Sequence, residues 1–282
     1  MATPYDSWIG RAESVEDVIA LAPARAMLAT LDDNETRLGL GDALPPMWHW
    51  LYFHSYAPQS AIGPDGHPAR GSFMPPVELP RRMFAGARLR FPGALRLGER
   101  AEKAATITAI SEKQGESGKL VFVAVTNRFS QGGKVCVEED MDIVYRAAGG
   151  TTPAPKALAR EAMKPVPPGA WSREVAPDPV LLFRYSALTF NGHRIHYDRA
   201  YAMGEEGYPG LVVHGPLTAT YLAELPRRNS RRPIAGFSFR ARGPLFDGQP
   251  FRVQGTPKGD TVALEAIGPD GQQAMTGEVT LA

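Results

Sequence analysis

The strongest constraint on the fold is a stretch that opens as Tyr208-Pro-Gly-Leu-Val-Val-His-Gly-Pro216 and continues as Leu217-Thr-Ala-Thr-Tyr-Leu-Ala-Glu-Leu225. The first piece is an apolar run halted by a His-Gly-Pro step. The second reads as a buried helix over residues 215–225, with Pro216 in its first turn, where a missing N–H costs nothing. Four β-rich runs follow, at residues 234–242, 250–257, 261–268 and 273–281. Gly259-Asp260 and Pro269-Asp-Gly-Gln272 mark the hairpins between the last three.

The first half repeats this grammar. Residues 13–31 read as an amphipathic helix, capped by Ser14 with Asp17 three residues on. Residues 42–54 hold Pro45-Pro-Met-Trp-His-Trp-Leu-Tyr-Phe53, an aromatic run that predicts a second buried helix. From 55 to 80, Gly and Pro recur too often for regular structure, which predicts a long functional loop. Strands are expected over 81–91, 99–112, 119–130 and 134–145, with turns at Gly115-Glu-Ser-Gly118 and Gln131-Gly-Gly133. Residues 146–179 then become Pro- and Gly-rich and read as a linker with one short helix over 157–163, before a strand-like entry over 180–190. A helix followed by an antiparallel meander, twice, predicts an internal duplication of one α+β unit. The expected division is 1–147, a linker over 148–179, and 180–282. It rests on element order, since the halves share no evident identity.

A chain of 282 residues can hold one large domain or two of ordinary size, and either could bury a substantial core. Lys+Arg 31 against Asp+Glu 30 leaves a formal charge of +1, so no global field argues for nucleic acid or a membrane surface. Cys136 stands alone, which excludes an internal disulfide and a Cys-rich zinc site. The first ten residues lack the basic-then-apolar order of a secretory leader, and Pro23 and Arg25 interrupt the early apolar run. A soluble, cytoplasmic protein is expected.

Chemistry concentrates in Phe190-Asn-Gly-His-Arg-Ile-His-Tyr-Asp198. Three readings stand side by side. One is a plain polar turn. Another is a metal site drawing on His193, His196, Asp198 and His214. The third is acid/base catalysis by histidine, whose ordinary pKa of ~6.5 lies closest to neutrality. His214-Gly215 likewise reads either as a tight strand-to-helix turn or as a backbone amide aimed at an oxygen that becomes negative during reaction. A proton carrier and an oxyanion donor together are what enolate chemistry on a thioester demands.

These residues resemble the hydratase motif of the MaoC-like (R)-specific enoyl-CoA hydratases and hydroxyacyl-thioester dehydratases, usually written Asp-x-Asn-Pro-x-His and followed by a downstream His-Gly. The motif histidine falls on His196, its aspartate on Asn191, its asparagine on His193, and the oxyanion glycine on Gly215. Arg194 replaces the motif proline. The form from Ser186 to Asp198 is similar to the branch of mesaconyl-C4-CoA and itaconyl-CoA hydratases and mitochondrial-type hydroxyacyl-thioester dehydratases. Trp8-Ile-Gly10 and Met74-Pro-Pro-Val-Glu-Leu-Pro-Arg-Arg-Met-Phe-Ala-Gly86 agree with that branch. The resemblance implies a double hot-dog fold: two tandem α+β units, each an antiparallel sheet around a central helix, the second carrying the motif. It implies a hydro-lyase acting on an acyl-CoA, with no metal or redox cofactor because CoA arrives with the substrate. A homodimer is the expected assembly.

Asn191 cannot titrate, so an aspartate's role cannot pass to it unchanged. The expected division of labour gives His196 the proton, with His193 as the other candidate. Asn191 holds the water, and Gly215 N–H binds the thioester oxygen. His214 and Arg194 are expected at the substrate, Arg194 as partner of a free acyl carboxylate. Arg81, Arg82, Arg240 and Arg242 are candidates for CoA phosphates, against the default of solvated arginines. Competing functions are a fatty-acid-type 3-hydroxyacyl-thioester dehydratase and, from a different class, a hot-dog thioesterase or acyl-CoA-binding protein.

Overall fold

The computed structural model describes residues 3–115, 118–147 and 165–282. The chain forms two compact units, Met1–Pro45 with His49–Gly150, and Pro46–Trp48 with Thr151–Ala282.

The N-terminal unit contains β1 (Ala12–Val18), α1 (Leu21–Thr30), β2 (Arg81–Arg90), β3 (Arg100–Gly115), β4 (Gly118–Gln131) and β5 (Lys134–Arg146). Its strands are antiparallel and lie in the order β1-β3-β4-β5-β2. Strand alternation puts Ala105, Ile107, Val121, Val123, Val125 and Tyr145 on one face, where Val77 joins them in the core. The 55–80 stretch is loop apart from a 3₁₀ turn at Gln59–Ala61. Arg70 braces it by donating to the carbonyls of Val77, Leu79 and Pro80.

Two helices expected here are not formed as read. Residues 13–31 divide into β1 and α1. The first part pairs with β3 from Ala12↔Thr106 to Val18↔Arg100. Ser14 therefore bonds Glu102 instead of capping a helix, and Asp17 accepts from the amides of Val18 and Phe53. Acidic side chains along β1 suit an edge strand, where charge discourages further pairing. The aromatic run yields only a 3₁₀ turn at Trp48–Leu51. Met47 at φ 74° and Phe53 at φ 59° bracket it in left-handed backbone, which no α-helix can pass through.

The C-terminal unit contains β6 (Trp171–Val175), α2 (Pro179–Leu188), α3 (Arg199–Gly204), α4 (Gly215–Asn229), β7 (Ile234–Ala241), β8 (Phe251–Lys258), β9 (Thr261–Ile267) and β10 (Gln273–Leu281). Its order, β6-β8-β9-β10-β7, reproduces that of the first unit strand for strand. In each unit the first strand pairs with the third and the second with the fifth. Helix α4 packs against every strand of its sheet and buries all ten residues from Leu217 to Pro226. Gly255 on β8 marks a close approach: a Cβ there would lie 2.9 Å from Leu264 and 3.6 Å from Leu225 of α4.

Three expectations change here. Residues 180–190 are helical, because Asp178 accepts from the Leu181 amide at 2.7 Å and Pro179 opens the first turn. Strand β6 lies inside the stretch read as linker. Helix α4 outlasts its expected end at Leu225 and carries Pro226 within it. The short helix read over 157–163 falls outside the described residues.

Candidate active site

The site is assembled from the C-terminus of α2, the turn after it, and the approach to α4. Helix α2 closes in a left-handed stop. Phe190 takes φ 48°, its amide donates to Ala187 O at 3.3 Å, and the Asn191 amide donates to Ser186 O at 2.8 Å. This is the Schellman pattern, with phenylalanine where glycine is usual. It places Asn191 immediately beyond the helix. The Asn191 Oδ1 then accepts from the His193 amide at 3.0 Å, an Asx turn that leads into a 3₁₀ turn at Arg194–His196.

That turn is fastened to the strand-like segment before α4 at two points. Val212 N–H donates to Ile195 O at 2.9 Å, and His196 Nδ1 lies 2.7 Å from Val212 O. A carbonyl can only accept, so Nδ1 carries the hydrogen and Nε2 keeps the basic lone pair. Asp247 holds the same segment from the other side, accepting from the Leu211 amide at 2.8 Å and pairing with Arg199.

Around His196, 7% exposed, two further imidazoles gather. His193 meets it edge-on at 5.4 Å between ring centroids. His214 stacks on it at 3.6 Å with an interplanar angle of 18°. His214 precedes the first residue of α4, so the stack puts His196 beside that helix start. Gly215 is the first helical residue, and no side chain of the N-cap residue bonds to the helix start. Because Pro216 has no N–H, the amide of Gly215 is the donor nearest the tip.

Of the remaining expected residues, His214 and Arg194 have partners of their own within the protein. His214, expected at the substrate, is 1% exposed, with His196 over one face and Tyr185 at 5.0 Å edge-on. Its Nε2 lies 2.8 Å from Ser186 Oγ, a partner that the sequence reading missed. Burial first, and then the charges His196 and His193 can carry, hold its pKa well below the usual histidine value. Arg194, expected at an acyl carboxylate, makes a two-nitrogen pair with Asp198 at 2.8 and 3.1 Å and lies over the Tyr201 ring. Asp198 also caps α3 by accepting from Tyr201 N–H. Among the described residues, His193, His196, Asp198 and His214 do not gather as a group that could hold a metal ion.

In the N-terminal unit, Arg81 is buried and Arg82 is half-buried on β2 opposite Tyr145. On β7 and just past it, Arg240 and Arg242 are exposed, with Arg242 Nε donating to Thr276.

The sequence pattern of the family "Hydroxyacyl-thioester dehydratase type 2" matches residues 47–247, more than half of the chain. The chain belongs to that family. It is an enzyme of hydratase/dehydratase type, a hydro-lyase. It is 53% identical over 277 residues to the mesaconyl-C(4)-CoA hydratase of Chloroflexus aurantiacus, covering 98% of this chain and 97% of that protein. To the mitochondrial hydroxyacyl-thioester dehydratase type 2 of Schizosaccharomyces pombe it is 31% identical, covering 85% and 88%. Among solved structures, a MaoC-like dehydratase superposes with a TM-score of 0.73 at 15% identity, covering 98% of each chain. A Mycobacterium tuberculosis protein described as having a double hot-dog fold gives a TM-score of 0.61 at 12% identity, over 97% of this chain and 96% of that one. The last two likenesses carry the fold alone. The α+β double hot-dog reading holds, and the topology repeated in the two units accounts for it.

Among the described residues no helix is long and apolar enough to cross a membrane.

Proposed function

We propose that this family member is an acyl-CoA hydratase that adds water to a short, branched, dicarboxylic enoyl-CoA of the mesaconyl-C4-CoA or itaconyl-CoA kind. The observation that carries the reading is the orientation of His196. It is a buried imidazole with Nδ1–H bonded to Val212 O, and it is stacked on the residue that opens the helix at Gly215. The 53% identity to a mesaconyl-C(4)-CoA hydratase across almost the whole chain supports the choice of acyl group.

In this proposal His196 Nε2 takes a proton from water, and the water oxygen forms the bond to the β-carbon. The π electrons move toward the α-carbon and the thioester oxygen, which gains enolate charge and accepts from Gly215 N–H. His196 then returns its proton to the α-carbon and is neutral again. Asn191 holds the water through its Nδ2 hydrogens, since its Oδ1 already accepts from His193 N–H. His193, edge-on to His196, is the second candidate for the proton. Arg82, Arg240 and Arg242 are the cations we assign to acidic groups of the substrate. Arg81, being buried, is the weakest of the original four. CoA enters as part of the substrate, and no separate cofactor is part of the proposal. A cytoplasmic homodimer completes the proposal, the assembly being readable by light scattering.

The test is the ultraviolet absorbance of the conjugated thioester with mesaconyl-C4-, itaconyl- and crotonyl-CoA. Absorbance should fall without release of free thiol, fastest for a dicarboxylic ester. His196→Ala should cost about 100-fold or more in kcat. Thiol release, or near-normal turnover in His196→Ala, refutes the assignment. The dehydratase relative favours a second reading of the same site, the reverse reaction on a 3-hydroxyacyl thioester. The same assay run from the hydroxy ester detects it.

A further inference from the structure

Ser186 and His214 have no part in the mechanism above, yet they are among the most buried polar side chains of the C-terminal unit. Ser186 lies in the last turn of α2, and its Oγ is 2.8 Å from His214 Nε2. The His214 ring lies nearly parallel to that of His196, while its Nδ1 is buried with no hydrogen-bond partner among the described residues. An imidazole with one nitrogen engaged and the other without a partner has a single hydrogen bond to fix its orientation, beside the packing of His196 and Tyr185. Leaving a buried polar atom unpaired costs on the order of 1–3 kcal/mol, so such an arrangement calls for a reason.

We propose that Ser186 and His214 are a positioning pair for His196: the serine hydroxyl sets the plane of His214, and the stacked His214 ring sets the plane of His196. The inference rests on the reading that His196 moves the proton. Three restraints then act on the His196 ring. Val212 O fixes Nδ1, His193 meets its edge, and His214 covers one face. The carbonyl alone would allow the ring to swing about the Nδ1–O line. The stacked face removes that freedom, so Nε2 keeps a single direction. Burial keeps His214 neutral, so it can cover His196 without repelling the positive charge that His196 acquires when it takes a proton. A neutral π face beside a transient cation is favourable, whereas a second cation would oppose proton uptake. Neither residue touches the reacting atoms in this arrangement. Both act through His196.

The test uses the full-length enzyme with Ser186→Ala and Ser186→Thr, alongside His196→Ala. Ser186→Ala should lower kcat by about tenfold or more with KM within about twofold. Ser186→Thr, which restores the hydroxyl and adds a methyl, should recover most of the loss. A packing role predicts the opposite order, because the extra methyl would strain a buried site while alanine would not. A second readout needs no variant. Long-range 1H–15N spectra of histidine-labelled wild-type protein should show His214 as one neutral tautomer from pH 5 to pH 8, and Ser186→Ala should mix the tautomers. Wild-type turnover in Ser186→Ala, threonine worse than alanine, or a His214 that titrates or mixes tautomers in the wild type would each overturn the inference. His196→Ala separates this from failure of the underlying reading. If His196→Ala is inactive while Ser186→Ala is normal, only the positioning role fails.

Discussion

Replacing His214 by glutamine should change how stability depends on pH, and the size of the change follows from burial. In the folded protein the His214 pKa sits well below the ordinary value, through desolvation first and then the charges of His196 and His193. In the unfolded chain the same imidazole titrates near ~6.5. A folded-state pKa below the unfolded one means that the unfolded state binds the extra proton. The stability is therefore complete above ~6.5 and is lost as pH falls from there toward the folded-state value. For one such group the loss is at most RT ln(1 + 10^(6.5 − pH)), reached when the group stays neutral in the folded protein: roughly 1.4 kcal/mol at pH 5.5 and under about 0.1 kcal/mol at pH 7.5. The wild type should thus lose more than His214→Gln between those two pH values, by up to about 1.3 kcal/mol. Glutamine cannot titrate, and its amide can still meet the Ser186 hydroxyl. His54 and His67, whose pKa values are also lowered chiefly by burial, contribute equally to both proteins and cancel in the difference. Urea unfolding at pH 5.5 and 7.5 measures it. Parallel losses in the two proteins would show that His214 takes a proton in the folded state and would refute the neutral stack.

Two further outcomes concern the scaffold. Glu224, 2% exposed in the middle of α4, accepts from Trp48 Nε1 at 3.3 Å, from Arg227 at 2.6 and 2.9 Å, and from Arg228 at 3.1 Å. Glu224→Ala should cost about 3 kcal/mol in urea unfolding, the lower end for a broken buried pair because both arginines are partly hydrated. Gly277→Ala on β10 should cost about 2 kcal/mol by the same measurement, as overpacking does. The added Cβ would lie 2.7 Å from the backbone oxygen of Ser238 and 3.1 Å from Phe239 Cβ, so β7 has to move.

The meanders were legible because alternation and turn residues agree over β2–β5 and β7–β10, where core-facing side chains repeat every second position. The N-terminal helix was misread for a physical reason. Ala-Glu-Ser-Val-Glu-Asp-Val (residues 12–18) is polar enough to pass for the outer face of a helix, and only the pairing with β3 makes it an edge strand. The aromatic run at 45–53 carries no local signal for left-handed backbone at Met47 and Phe53, since neither residue favours it. The pair between Arg194 and Asp198, four residues on, went unread because the turn was not taken as helical, where that spacing alone pairs them.

His196 and Gly215 were legible as candidates because their identities and spacing suit the chemistry proposed for them. Ser186 was not, because nothing local shows which side chain a helical serine will meet 28 residues away. The miss was compounded by reading residues 180–190 as a strand. Val180-Leu-Leu-Phe has the composition of a buried strand, but Asp178-Pro179 is a cap-and-first-turn signal, and the cap bond to Leu181 shows that it prevailed. A strand there would have turned alternate side chains to opposite faces and left the route into Asn191 open. The helix fixes both ends of the problem. Its final turn carries Ser186, whose hydroxyl meets His214 while its carbonyl accepts the Asn191 amide. Ser186, in the final turn of α2, therefore joins the stacked imidazoles to the start of the motif, and a change in the length of α2 would displace both together.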